Sequence, residues 1–556
     1  MSSVSLKIDG KDASLTTKKP LLLAVKEEGY NPPYLCCHED VEKDSCCGVC
    51  LLEIDGEVVS ACKMTAEENM EILTDSPRVR EEVKKNLQEA FKKHKLKCKD
   101  CFFFQKCKLL ELGREFGVSP AIEKEEGSSF QVGSILFDQE KCIGCNNCVS
   151  VCPVGFLETK EEVVEPSRDK EVDCTSCGQC ALHCPVGAIK GEGEFEELEE
   201  LEEAFKKKTV VVQFAPSIRT SIGEEFGMDA GTVSTGQLVS ALRRSGFHYV
   251  FDTATGADFT TIEEAEELLE RLSEKKNLPA MSSCCPAWVS FLEFNYPHLI
   301  SNLCTSRSPQ IILGTIIKEY WGKARDDIFV VSVMPCTAKK EEIKRKELEV
   351  RGKKAVDMVI TTREAARLFK NKKVSFDKEE VADDPLGSPS GAGVIYGSSG
   401  GVFESALRTA FFRATGENIT EITEIRGTES IKEKKIDIKG ETLNVCVVSG
   451  LCNIKKVLSD VEKGESPFHA IEVMACPGGC VGGGGQPVPS SKKTTSQRGR
   501  SLYTIDAQKS VRRAHENKQV MEVYKEFLSN EEKRKEMLHT SYNPKKKKLI
   551  EKKDKK

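Results

Sequence analysis

No apolar run in these 556 residues approaches the roughly 18 that a membrane span needs. The opening MSSVSLKIDGKDASL has neither the apolar core of a signal peptide nor the Arg-rich pattern of an organellar one. The expectation is a cytoplasmic protein with no membrane partner. Excess positive charge is missing too: a net charge of -6 argues against a general nucleic-acid binder. No G-x-G-x-x-G follows a strand pattern, so the chain carries no flavin or nucleotide fingerprint of its own. Cysteine is also absent from one long stretch, 185–283. That gap matters because cysteine is otherwise abundant.

There are 25 cysteines, gathered in tight groups. Reducing cytosol keeps thiols free, so disulfides are a poor account of them. Clustered thiols in reducing surroundings point to metal, as iron–sulfur clusters or structural zinc. The length predicts roughly three to five domains, and 39% hydrophobic with 31% charged residues is an ordinary soluble balance.

Along the chain, Val4–Ile8 and Ala13–Thr16 read as a hairpin, Leu21–Glu28 as a helix, and LLEIDGEVVSAC as a second hairpin across Asp55-Gly56. Residues 79–95 have helical periodicity, and GEFEELEELEEAFKKK is an acidic linking helix. From Thr209 onward, buried strand patterns (VVVQFA, IFVVSV, LNVCVV) alternate with helices and Gly-rich loops. A large α/β domain with its chemistry on loops follows. The ending, KKKKLIEKKDKK, reads as a solvated, frayed basic tail, with a binding arm as the alternative.

Two segments repeat at a spacing of 32 residues, KCIGCNNCVSVCPVG and DCTSCGQCALHCPVG. Each is C-x2-C-x2-C-x3-C-P, the two-cluster ferredoxin pattern in which the fourth cysteine serves the other copy's cluster. Cys142, Cys145 and Cys148 then pair with Cys184, and Cys174, Cys177 and Cys180 with Cys152. Upstream lie Cys36, Cys47, Cys50 and Cys62, with Cys37 and Cys46 leaving the register open by one at two places. The C-x2-C pair favours Cys47, and the preceding Tyr34-Leu35 favours Cys36. Between these groups stand His94, Cys98, Cys101 and Cys107. Three cysteines cannot fill a cubane, and His94 lies about one helical turn before Cys98; the alternatives are a bystander histidine or a zinc site. In all, fifteen cysteines fall to four accessory clusters. Clusters in series carry single electrons.

Three further motifs are far apart: SSCCPAW at 282–288, MPCTAKK at 334–340 and EVMACPGGCVGGGGQP at 472–487. None holds a metal alone, but together they supply four thiolates and one spare. These loops, with the cluster groups before them and RRAHENKQVMEVYKEFL at 512–528 after them, resemble the iron-only ([FeFe]) hydrogenases over nearly the whole chain. The first cysteine group resembles the [2Fe-2S] domain of those enzymes and of the large iron–sulfur subunit of respiratory complex I. The second follows the ligand order of the family's His-ligated [4Fe-4S] site.

The resemblance implies a multi-domain α/β and α+β chain. A β-grasp [2Fe-2S] ferredoxin domain would occupy 1–78, a His-ligated [4Fe-4S] module 79–120, and a bacterial 2[4Fe-4S] ferredoxin domain 130–200. A large H-cluster domain would span 208–545, helical and small-subunit-like from about 490, before the tail at 546–556. It further implies that Cys285, Cys336, Cys476 and Cys480 hold the H-cluster cubane, with Cys480 bridging to a two-iron part bearing CO, cyanide and azadithiolate. Cys284 is then a proton-relay thiol, Lys339 a donor to cyanide, and Ala215, Pro216 and Ser217 a wall around the other cyanide. Ser308, Pro309, Gln310, Met334 and Met474 would pack the two-iron part.

Independently of the family, a thiol titrates near 8.5 unperturbed and so passes protons both ways at modest cost. Glu264 and Glu267 share a helical face that Arg271 continues. By themselves they read as a solvated acidic face; the resemblance makes them the outer proton path. Departures from the family pattern are Ser282 for threonine, Cys304 for a path serine, Tyr396 for phenylalanine and Gly482 for asparagine. Iron–sulfur assembly relatives lack the full motif set, and hydrogen sensors tend to lose the relay cysteine. The expected partners are ferredoxin or flavoprotein NAD(P)-binding subunits of a larger complex, the GGGGQP variant favouring the complex, plus H-cluster maturation proteins.

Overall fold

The computed structural model describes residues 3–38, 41, 47–94, 103, 107–119, 129–160, 163–167, 171–193, 196–325, 327–384, 386–419, 421–427, 429–438 and 440–553. Cys46, Cys98 and Cys101 lie outside them.

The N-terminal sheet has five strands in the order Lys11–Thr16, Ser3–Ile8, Glu71–Leu73, Leu51–Ile54, Glu57–Ser60, with helix Leu21–Glu27 against it. Both expected hairpins form. Their Asp-Gly turns put both residues at positive φ (Asp9 47°, Gly10 78°; Asp55 49°, Gly56 85°), the twist that suits a two-residue connection. Helix Pro77–Lys93 starts where the Ser76 hydroxyl accepts from Val79 N, and it buries Val79, Val83, Leu87 and Phe91.

The ferredoxin repeat sits beside strands Ser129–Val132, Ile135–Asp138 and Ile189–Gly191. The fourth strand of that sheet is Glu551–Lys553, from the far end of the chain. The tail is therefore not the frayed terminus its lysine run suggests. Pairing between partners so distant in sequence leaves no local signal.

Two four-stranded sheets build the rest. One is wholly parallel, in the order Tyr249–Asp252, Thr209–Phe214, Ile328–Met334, Met358–Thr361. Its strands are buried on both faces, as their unbroken Val/Ile runs require. The other runs Ala280–Met281, Ala470–Met474, Glu441–Ser449, then Ile431–Ile438 antiparallel at the edge. Between them lies the helix Thr253–Glu274, capped by Asp252 and buried over most of its length. No helix among the described residues is long and apolar enough to cross a membrane.

A candidate metal centre at the strand ends

Four loops meet where parallel strands end, the position at which α/β sheets bind ligands. Phe214 leads into Ala215-Pro216-Ser217, Met281 into Ser282–Cys285, Met334 into Pro335-Cys336, and Met474 into Ala475-Cys476. Ser282 ties two of them together: its hydroxyl accepts from Val473 N (3.0 Å) and its carbonyl from Trp288 Nε1 (3.1 Å). The glycine run of the third loop marks close backbone approach. A Cβ on Gly483 would strike the Pro335 carbonyl, and one on Gly484 the Cys177 carbonyl.

The loops line a partly open cavity of about 710 Å³. Cys284, Cys285, Cys336, Cys476, Cys480 and Lys339 all line it, as do Ala215, Pro216, Ser217, Pro309, Gln310, Met334, Met474 and Tyr396. Three motifs far apart in sequence thus share one space. Ser308 stands at the N-terminal boundary of helix Pro309–Ile316 beside it, without a side-chain capping bond. The Ser308 hydroxyl and Gln310 Oε1 are buried and find no hydrogen-bond partner among the described residues.

This donor set fits an iron–sulfur group. Five thiols and the Lys339 ammonium line one cavity, and orphaned polar atoms stand beside it. Among the described residues, no three His, Cys, Asp or Glu side chains converge as a single ion would require. A cluster takes one thiolate per iron corner and leaves them further apart.

Lys339 has more company than the sequence suggests. Its ammonium donates to Glu342 Oε2 (2.8 Å) and the Cys284 carbonyl (3.2 Å), and Gln310 Nε2 donates to the same Glu342 oxygen (2.7 Å). Burial opposes that charge, but Glu342 offsets it and the lysine pKa stays above its ordinary value. Glu342 was missed in the sequence, although its i,i+3 spacing from Lys339 was a usable signal.

Behind Cys284 runs a line of titratable groups. Burial pushes its thiol well up, Glu264 adding to the effect, so the near-neutral titration of a free thiol does not carry over. Glu264 is fully buried and is pushed up to about 8 by burial, then by Glu267 and Glu472. The Ser306 hydroxyl is 3.5 Å from Glu264 Oε1, a contact that sequence reasoning did not foresee. Cys304 is buried within electrostatic reach of both Glu264 and Glu267. Glu267 accepts from Thr305 N (2.9 Å) and Arg271, and it borders a surface hollow of about 1450 Å³. In that hollow His539, near the chain's other end, meets Thr305 Oγ1 (2.8 Å) and Glu263 (2.7 Å). The acidic face is thus largely buried. Tyr396 OH accepts from Thr261 Oγ1 (2.9 Å), which gives the hydroxyl a polar partner.

The accessory cysteines gather in the same manner. Cys142, Cys145, Cys148 and Cys184 line one pocket of about 410 Å³, bringing the two copies of the repeat together crosswise. The repeat persists in the hydrogen bonds. Gly144 and Ser176 donate to Cys142 and Cys174 Sγ (both 3.4 Å), and Phe156 and Ala188 to Cys152 and Cys184 Sγ (both 3.2 Å). Cys174, Cys177 and Cys180 stand within electrostatic reach of Cys152. In the first group Cys50 Sγ is 3.0 Å from Cys62 Sγ, and Cys36 faces Cys47. Cys37 is half-buried against the same N-terminal core as Cys50 and Cys62, within electrostatic reach of Cys47, Cys50 and Cys62, so it shares the space of this group.

His94 is buried and its Nδ1 donates to the Lys141 carbonyl (2.8 Å), one residue before Cys142. A ring protonated at Nδ1 presents Nε2 as its ligand nitrogen. Cys107 begins helix Lys108–Glu115. The groups also touch in order: Asn147 Nδ2 donates to the Cys36 carbonyl (2.8 Å), Thr337 Oγ1 to that of Ser176 (2.6 Å), and Gln179 Nε2 to that of Gly482 (2.9 Å).

The chain is similar to known proteins over most of its length. Family models match residues 208–484 (iron only hydrogenase large subunit, C-terminal domain), 492–545 (iron hydrogenase small subunit), 141–188 (4Fe-4S dicluster domain) and 1–77 (2Fe-2S iron-sulfur cluster binding domain). The chain is 37% identical to the NADP-reducing hydrogenase subunit HndD of Solidesulfovibrio fructosivorans, over 98% of its own length and 99% of that protein's. It is 37% identical to iron hydrogenase 1 of Clostridium pasteurianum, over 91% and 93%. A solved apo form of the [FeFe]-hydrogenase HydA1 of Chlamydomonas reinhardtii, a single-site variant, matches with TM-score 0.55 and 36% identity, over 62% of this chain and 98% of that one. With its thiols converging at the strand ends and [2Fe-2S] and [4Fe-4S] domains before them, the chain belongs to the iron-only hydrogenases, oxidoreductases that work at an H-cluster.

Proposed function

We propose that this chain interconverts hydrogen with protons and electrons, the electrons passing through four accessory clusters to ferredoxin or to flavoprotein NAD(P)-binding subunits in the cytoplasm. The observation that carries this reading is one cavity at the strand ends, with five thiols on it and a file of acids leading away from it. Cys285, Cys336, Cys476 and Cys480 hold the H-cluster, whose two-iron part is supplied by maturation proteins. When bound, the H-cluster provides the iron at which the H–H bond is made or broken.

The chain's own residues do the rest. Cys284 and Glu264 are both in their protonated forms at neutral pH, so each is ready to pass a proton inward and be refilled from outside. Glu267 refills the file from the surface hollow, with Cys304 between the two glutamates. Lys339, Ala215, Pro216, Ser217, Ser308, Pro309 and Gln310 orient the two-iron part. Met334 and Met474 exclude water from it.

Among the accessory sites, Cys36, Cys47, Cys50 and Cys62 hold a [2Fe-2S] cluster. His94 with Cys98, Cys101 and Cys107 holds a [4Fe-4S] cluster, and the repeat holds two more. A relative named as an NADP-reducing hydrogenase subunit, together with the missing nucleotide fingerprint here, favours a multi-subunit complex in which another chain carries flavin and NAD(P).

The matured chain is expected to hold about 20 irons, counted from one [2Fe-2S], three [4Fe-4S] and a six-iron H-cluster. Iron quantification with infrared detection of bound CO and cyanide checks this; zinc at any site, or a total near ~14, contradicts it. His94→Cys should still assemble a cubane, at lower potential, because thiolate adds negative charge where neutral imidazole has none. EPR-monitored titration reads the shift, and an unchanged spectrum removes His94 from the ligand set.

A further inference from the structure

We propose that the C-terminal tail is part of the electron path: it straps the two-cluster ferredoxin domain to the catalytic domain, and its Lys548 raises the reduction potential of the cluster nearest the catalytic cavity.

The strap has two anchored ends. At its start, the fully buried Glu293 carboxylate takes Asn543 N (3.3 Å) and Lys545 Nζ (3.1 Å), while its carbonyl takes Lys545 N (3.1 Å). At its finish, Glu551, Lys552 and Lys553 pair antiparallel with Gln131, Phe130 and Ser129. Glu293 belongs to the catalytic domain, on the helix that Cys285 begins, whereas residues 129–131 belong to the ferredoxin sheet. The segment therefore bridges the two.

Between the anchors the chain turns every third residue inward: Tyr542, Lys545 and Lys548 are half-buried, and Lys546 and Lys547 are exposed. Two of four consecutive lysines are thus selected. A merely solvating run would have no reason to pick them. Lys548 N donates to Asp173 Oδ1 (3.0 Å), and its ammonium donates to the Cys174 carbonyl and stands 3.8 Å from Asp173 Oδ2.

Cys174 opens the loop Cys174–Cys180, whose middle residues touch the catalytic domain. Thr337, next to Cys336, donates to the Ser176 carbonyl, and Gly484 lies against Cys177. A positive charge held on this loop stabilises the reduced, more negative form of the cluster it wraps. Cluster potentials follow local charge and hydrogen bonding, and in a largely buried site the field is weakly screened. The cation therefore eases the last electron transfer before the cavity when electrons run inward.

The inference rests on the proposed ligation of a [4Fe-4S] cluster by Cys174, Cys177, Cys180 and Cys152. Its failure is separable from that reading's, because a wrong ligand set shows as missing iron and a wrong role for Lys548 as an unmoved potential. The test is EPR-monitored redox titration of the matured full-length chain as wild type, Lys548→Gln and Lys548→Arg. With iron content equal in all three, Lys548→Gln should shift one ferredoxin wave to more negative potential and leave the others, and Lys548→Arg should restore it. Coincident waves in wild type and Lys548→Gln, or an equal shift of every cluster, would overturn the proposal. So would iron loss in either variant, which would make Lys548 a structural prop. For the strand, deleting 549–556 should raise hydrogen exchange at amides 129–132; unchanged exchange there removes the strap.

Discussion

Replacing Cys284 with alanine removes nearly all turnover while every cluster stays in place. The thiol is buried on the cavity wall next to Cys285, with Glu264 within electrostatic reach and no carboxyl group among the described cavity residues. Alanine removes the one thiol on the cavity that has Glu264 as its largest electrostatic neighbour. Cys284→Asp should keep part of the rate, because a carboxyl also gives and takes protons. Hydrogen evolution with reduced viologen measures the loss, and iron content with infrared spectra shows that the clusters survive. If the alanine variant keeps more than about a tenth of the wild-type rate, the barrier has risen by less than about 1.4 kcal/mol and the relay assignment is wrong.

The same file of residues shows why some of this site was legible in sequence and some was not. Ligand cysteines are local: a cubane corner takes C-x2-C, so Cys142, Cys145 and Cys148 announce themselves, and their match to Cys184 follows from the repeat. Two of the cavity loops, at 215–217 and 335–336, sit directly after a strand that its Val/Ile run reveals, whereas Ser282–Cys285 follows the two-residue strand Ala280–Met281, which has no such run.

Environment was less legible. An isolated thiol predicts a near-neutral Cys284, whereas complete burial beside Glu264 holds its proton far more tightly. Lys339 invites an anionic partner from the cofactor, yet Glu342 already provides one. Glu472 gave no signal either: it is a buried carboxylate that accepts from Gly400 N (2.6 Å) and Phe403 N (2.8 Å). The lysine-rich tail misled outright, because charge pattern reports solvation only when nothing distant in sequence offers a carboxylate such as Glu293 or Asp173.

Deleting residues 1–77 should abolish electron exchange with a protein partner and leave much of the viologen rate. Each accessory cluster passes electrons singly, and a nicotinamide delivers a hydride, so a flavin must stand between it and this chain. The purified, matured chain should therefore evolve hydrogen with reduced viologen or ferredoxin and show essentially no NADH-dependent activity. Adding a flavoprotein partner should create NAD(P)-linked activity.

Where electrons come in is set by contacts. The loop of the first cysteine group touches the ferredoxin repeat through the Asn147–Cys36 hydrogen bond, and His94 touches it through the Lys141 carbonyl. Both N-terminal groups thus abut the pocket of Cys142, Cys145, Cys148 and Cys184, while the opposite side of the repeat abuts the catalytic loops at Gly482 and Gly484. On the proposed reading a protein partner would dock on the outer domains, whereas a small dye would reach the inner clusters directly. The partner-dependent rate should fall at least about tenfold more than the viologen rate, a difference of about 1.4 kcal/mol in barrier. Parallel assays of the truncated and full-length chains, with iron content confirming that the remaining clusters are loaded, give that ratio. An equal fall in both rates would mean that the first 77 residues serve folding instead of electron intake, and robust NADH oxidation by the isolated chain would overturn the division of labour altogether.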